Sequence, residues 1–133
     1  MRLFFKILFF ILLIIVTFLS LTPSQIEGEQ GIELTRILAK FFLGNEAYSD
    51  KIGHFLAYGA LGFSVSAAMF FPLKKLWVPM LGLSFYGFLL EFLQFLGGTR
   101  YGEFLDALSN MLGVVAGITG FLLLAFMTNK MLR

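Results

Sequence analysis

The chain has 133 residues, 59% of them apolar and only 14% charged, and its mean hydropathy of +0.89 is too high for a soluble domain of this size. It has no cysteine, which excludes disulfides, thiolate metal sites and thiol nucleophiles, and a single histidine argues against a multi-histidine metal centre. The net charge of +2 is carried by scattered basic residues with no stripe suited to nucleic acid.

Composition therefore predicts an all-α polytopic membrane protein whose eighteen phenylalanines face acyl chains where a soluble fold would carry charge. A hydrocarbon core about 30 Å thick needs about 20 helical residues. The first run of that kind covers residues 3–21. Arg2 and Lys6 give it the positive start of a signal peptide. The apolar run outlasts such a segment, however, no small-residue cleavage site follows, and Pro23 sits where cleavage would fall, so the run is read as a retained span. In the long connection that follows, Leu34, Ile37, Leu38, Phe41 and Phe42 recur at helical spacing, with Glu33, Arg36 and Lys40 on the other side. This predicts an amphipathic helix over residues 32–43, lying on the membrane surface and ended by Gly44-Asn45. Three further spans are expected at 52–71, 76–97 and 104–127, joined by a short Lys-bearing connection at 72–75 and a glycine-led turn at 98–103. The whole is one domain of four transmembrane helices plus the surface helix between the first and second.

Orientation follows from counting Lys and Arg near the ends of the spans. With both termini cytoplasmic, Arg2, Lys6, Lys74, Lys75, Lys130 and Arg133 lie inside, against Arg36, Lys40, Lys51 and Arg100 outside. Every acidic residue then falls on the outer side or in a helix end near it.

Ionisable groups within a span cost about 2.5–3.5 kcal/mol each at mid-membrane, so each one present needs a reason. The second span opens DKIGHFLAY, where Asp50, His54 and Tyr58 are four apart and share a helical face, with Lys51 beside them. The third carries Glu91 and Gln94 three apart, with Gly87 one turn earlier, and the fourth opens with Asp106 and Asn110 four apart, continued by Gly113 and Gly117. At 1.5 Å per residue, Glu91 lies about 9 Å from the outer end of its span, and His54 and Asp106 about 3 Å from theirs. All three approach one outer layer, and Arg100 in the intervening turn is placed to pair with either carboxylate. The glycines of the fourth span, with Gly53, Gly59 and Gly62 on the second and Gly82 on the third, suit close helix packing. Structural roles stand beside the functional ones: Asp50 as a helix N-cap, His54 and Tyr58 as interfacial residues, Asn110 as interhelical glue, and Glu91 in a bridge to Arg100. Glu91 is the hardest to explain structurally, because a carboxylate on an otherwise apolar helix marks a functional site by default.

Taken together, DKIGHFLAY, LLEFLQ and GTRYGEFLDALSNMLG resemble the VanZ-like family, small bacterial membrane proteins associated with teicoplanin resistance. The family pattern is Asp-Lys followed by His and Tyr, then Glu-x-x-Gln, then an Arg, Asp, Asn and Gly series before the last span. Its counterparts here are Asp50, Lys51, His54 and Tyr58; Glu91 and Gln94; Arg100, Asp106, Asn110 and Gly113. The resemblance covers residues 50–120, while residues 1–49 correspond only as a span and a variable loop. It implies a multi-pass protein of the bacterial cytoplasmic membrane with a part in cell-envelope function, and no mechanism, since the family's activity is not established.

Three classes of function follow. Lys51, His54 and Arg100 could hold the phosphate or carboxylate of a lipid-linked wall precursor or a lipoglycopeptide, with Glu91 and Asp106 orienting it. Alternatively, Glu91 or Asp106 with His54 supply general acid and base for an enzyme acting on an envelope lipid, although no nucleophile motif is present and the metal case rests on one His with two acids. In the third class the polar cluster only locks a scaffold, and a proton-coupled transporter would need mid-membrane polar groups and repeated halves that the sequence lacks. No cofactor is expected; membrane lipid is the expected partner, with a homo-oligomer open.

Overall fold

The computed structural model describes residues 1–22, 33–97 and 104–128. The described chain is helical, in five helices: α1 (Arg2–Leu21), α2 (Glu33–Leu43), α3 (Ser49–Ala67), α4 (Trp77–Gly97) and α5 (Phe104–Thr128). Single 3-10 turns at Glu46–Tyr48 and Leu73–Lys75 lead into α3 and α4. By length and composition, three stretches among the described residues are able to cross a membrane: Arg2–Leu21, Leu73–Gly97 and Phe104–Thr128. Four were expected; α3 is missing from the set, lowered by the polar residues it carries from Asp50 to Ser66.

Helix ends follow local chemistry. α2 stops at Gly44, whose backbone is left-handed (φ 72°) and whose N–H bonds back to the Lys40 carbonyl at 3.1 Å. Asn45 is extended, and its side chain caps the next turn by accepting from the Ala47 N–H at 2.9 Å. α3 begins at Ser49, which corrects the expectation of Asp50 as an N-cap: Asp50 lies inside the first turn, where its charge still suits the positive end of the helix. α3 also ends at Ala67, four residues short of the expected 71. Met69 turns left-handed (φ 55°), and Pro72 disfavours helical backbone at the residue before it.

α3 is the central helix. It runs parallel to α5, with Gly59 beside Gly113, Gly62 beside Val114 and the Phe63 ring against Phe121. A Cβ at Gly113 or Gly117 would collide with the carbonyl oxygen of Phe55 or Gly59 respectively, and one at Gly62 would lie 2.6 Å from the Val114 carbonyl oxygen. Only glycine lets these backbones meet. Gly53, Gly82 and Gly120, expected to serve the same end, face open space. α4 is antiparallel to this pair, and α1 is held to α4 by two polar contacts. Thr17 gives its one hydroxyl hydrogen to the Leu13 carbonyl at 2.6 Å, so Tyr86 must be the donor in its contact with Thr17. The Gln94 side-chain amide donates to the Ser20 carbonyl.

The core of Val16, Leu61, Val65, Leu83, Leu90 and Val114, with its neighbours, is narrow, and the outer surfaces are apolar. On α4, Phe85, Phe88, Phe92 and Phe95 form one exposed face at helical spacing. α2 packs on α3 by burying Thr35 and Ala39, and so leaves Leu34, Ile37, Phe41 and Phe42 exposed.

Candidate functional site

The polar cluster forms where the start of α3, the end of α4 and the start of α5 meet. His54 is the hub. Its Nδ1 lies 2.9 Å from Asn110 Oδ1 and 3.7 Å from Glu91 Oε1. With the amide oxygen turned to the ring, Nδ1 carries a hydrogen and donates it to Asn110 Oδ1. Metal-capable atoms of His54, Glu91 and Asp106 all lie within 4.8 Å of one another. Both carboxylates are buried, at 5% and 3% exposure, while His54 is only partly so. The depth count along three separate helices thus corresponds to a real convergence.

Lys51 closes the other side. Its ammonium donates to Asp50 Oδ2 at 2.7 Å and lies 2.7 Å from Asp106 Oδ1, the second contact being a charge pairing off the direction of a hydrogen bond. Asp50 is the more exposed partner and forms the rim, whereas Asp106 is inside. Held between two carboxylates, Lys51 has little positive charge to offer an incoming anion.

Tyr58, one turn below His54, is 1% exposed, and its hydroxyl has no hydrogen-bond partner among the described residues. A Cβ on Gly87 would touch both the Tyr58 ring and Asn110 at 3.0 Å, so this glycine lets α4 press its Glu91 end against the other two helices. Gln94 does not join the cluster as expected; it turns to Ser20 on α1 and ties the helices together. Arg100, and with it the expected pairing to Glu91, lies outside the described residues.

Sequence reasoning missed Thr17, Ser20 and Tyr86. The signal was present in α1, where Thr17 and Ser20 are hydroxyl residues three apart in an otherwise apolar stretch, marking the edge that meets a neighbour. Two surface depressions, of about 490 and 300 Å³, are lined by α2 residues such as Arg36 and Lys40 and by apolar residues at the far end of α5. No cluster residue lines either, so the cluster is packed between helices, not at the base of these openings.

The arrangement can do two things chemically. An imidazole 3.7 Å from a buried carboxylate can relay a proton, and an acid-rich donor set can hold a cation. Compared with family models, with curated proteins and with solved structures, the chain matches none.

Proposed function

We propose that this chain is a VanZ-like integral membrane protein of the bacterial cytoplasmic membrane, working at its outer face on a lipid-linked envelope substrate through acid–base chemistry of the His54, Glu91 and Asp106 cluster. The supporting topology has four spans, α1, α3, α4 and α5, with both termini cytoplasmic and α2 on the outer surface, its exposed Leu34, Ile37, Phe41 and Phe42 in the lipid boundary. What favours α3 as the fourth span is its parallel course beside α5, a helix apolar enough to cross a membrane, from Phe55–Gly113 to Phe63–Phe121. Its polarity is turned inward: Tyr58, Ser64 and Ser66 are buried, and the two serines donate to the Leu61 and Gly62 carbonyls at 3.1 and 2.8 Å.

The observation that carries the acid–base reading is the 3.7 Å approach of His54 Nδ1 to Glu91 Oε1, with Asp106 within 4.8 Å, in a buried setting. Simple capture of an anionic wall precursor or lipoglycopeptide fits less well, because Lys51 is already engaged by Asp50 and Asp106. The test is teicoplanin susceptibility of a Gram-positive host carrying either wild type or empty vector. Raised tolerance with wild type is expected; identical susceptibility contradicts the envelope assignment.

A further inference from the structure

We propose that His54, Glu91 and Asp106 bind one divalent transition-metal cation of the Zn²⁺ or Mn²⁺ type, with the Asn110 side-chain oxygen as a fourth donor. Only the use made of the metal, a bound water serving as the base, rests on the acid–base reading above; the binding itself does not.

Geometry comes first. Four donors at about 2.1 Å around a tetrahedral ion stand about 3.4 Å from one another. The His54 Nδ1–Glu91 Oε1 and His54 Nδ1–Asn110 Oδ1 separations of 3.7 and 2.9 Å bracket that value, and the His54, Glu91 and Asp106 donors, all within 4.8 Å, need side-chain movements of about 1 Å. The donors come from three helices locked by Gly113, Gly117 and Gly87, so the set is held in place before any ion arrives. With the metal in place of the Nδ1 hydrogen, the bound imidazole is neutral and carries its hydrogen on Nε2.

Charge points the same way. Asp50, Glu91 and Asp106 bring three carboxylates to one place, and Glu91 and Asp106 are buried. Negative charge away from water is costly unless a cation shares it, and a divalent ion supplies that charge in one place. An independent observation concerns Tyr58. Tyr58 is 1% exposed, its hydroxyl lacks a hydrogen-bond partner among the described residues, and its ring lies beside Asn110 at Gly87. A water on the metal would give that hydroxyl a partner. The imidazole selects a transition ion over Ca²⁺ or Mg²⁺, which prefer all-oxygen sites, and the two carboxylates select against Cu(I).

The experiment uses the full chain in detergent, stripped with EDTA and dialysed against ZnCl₂ or MnCl₂, with bound metal counted by mass spectrometry. About one ion per wild-type chain is expected, with affinity at least about tenfold lower in His54→Gln and unchanged in the surface control Glu46→Gln. Asn110→Asp exchanges a neutral oxygen donor for a charged one and should tighten binding about tenfold, a gain that misfolding cannot mimic. No bound ion above background in wild type overturns the proposal, as does His54→Gln with wild-type affinity. If His54→Gln does not fold, Asn110→Asp decides: unchanged or weaker affinity overturns the proposal. Because binding is read without any susceptibility assay, its failure leaves the envelope reading standing, and the reverse holds equally.

Discussion

Gly117→Ala tests the close approach of α3 and α5, on which the whole site depends. The added Cβ would overlap the Gly59 carbonyl oxygen and lie 2.8 Å from the Phe63 nitrogen. Both are backbone atoms and cannot rotate away, so the helices must part by about 1 Å, forfeiting a quarter to a half of the dispersion energy at that contact. Overpacking of this kind costs about 3 kcal/mol at the upper end. Alanine returns about 1 kcal/mol in helix propensity, leaving a net loss of about 2 kcal/mol. Gly120→Ala, one turn further along, meets nothing within 4 Å and keeps the propensity gain alone. The two variants should therefore differ by about 3 kcal/mol in reversible unfolding, followed by SDS titration in mixed micelles. Parting the helices also pulls His54 from Asn110, now 2.9 Å apart, so Gly117→Ala should lose function along with stability. Equal stability of the two variants would refute the packing.

Lys51→Met should destabilise the protein more than Asp106→Asn, because it strands two carboxylates, one of them buried, whereas Asp106→Asn leaves Lys51 its 2.7 Å contact with Asp50. About 3 kcal/mol and about 1–2 kcal/mol are expected from the same titration, and the reverse order would contradict the pairing. A double-mutant cycle of Thr17→Val with Tyr86→Phe should give a coupling of about 0.6 kcal/mol, the usual value for an interhelical hydrogen bond in a membrane, and none if α1 is not docked on α4. The chain lacks cysteine, so single cysteines report topology cleanly. Those at Tyr48 and Gly102 should react with an impermeant maleimide on intact cells and one at Lys75 should not; the opposite pattern would invert the orientation.

Much of this could be read in advance where one helix supplies the information. Long apolar runs placed α1, α4 and α5 to within a residue of their ends, because burial in any apolar medium needs no knowledge of neighbours. The convergence of His54, Glu91 and Asp106 was legible too, since rise per residue turns position along a helix into depth. What depth and periodicity do not contain is the order of helices around the bundle. Gln94 shares a face with Glu91 yet meets α1, and Gly120 continues the glycine stripe yet faces open space, because each helix turns through about 100° per residue and only the packed neighbour decides which side is used. The end of α3 was misjudged for a different reason: Ala68 to Phe71 is apolar, and apolarity hid the backbone effect of Pro72.

If the buried cluster does chemistry and is not merely a fastening between helices, its function depends on the charge of Glu91. Glu91→Gln addresses it most directly, keeping the size and hydrogen-bonding capacity of a side chain that is 5% exposed while removing its charge. The measurement is teicoplanin susceptibility of a host expressing wild type, Glu91→Gln or empty vector at matched membrane levels. Folding of the variant is checked by its unfolding midpoint. A folded Glu91→Gln protein that protects no better than empty vector is the predicted result, and one that protects as well as wild type would make Glu91 structural and the cluster only a fastening.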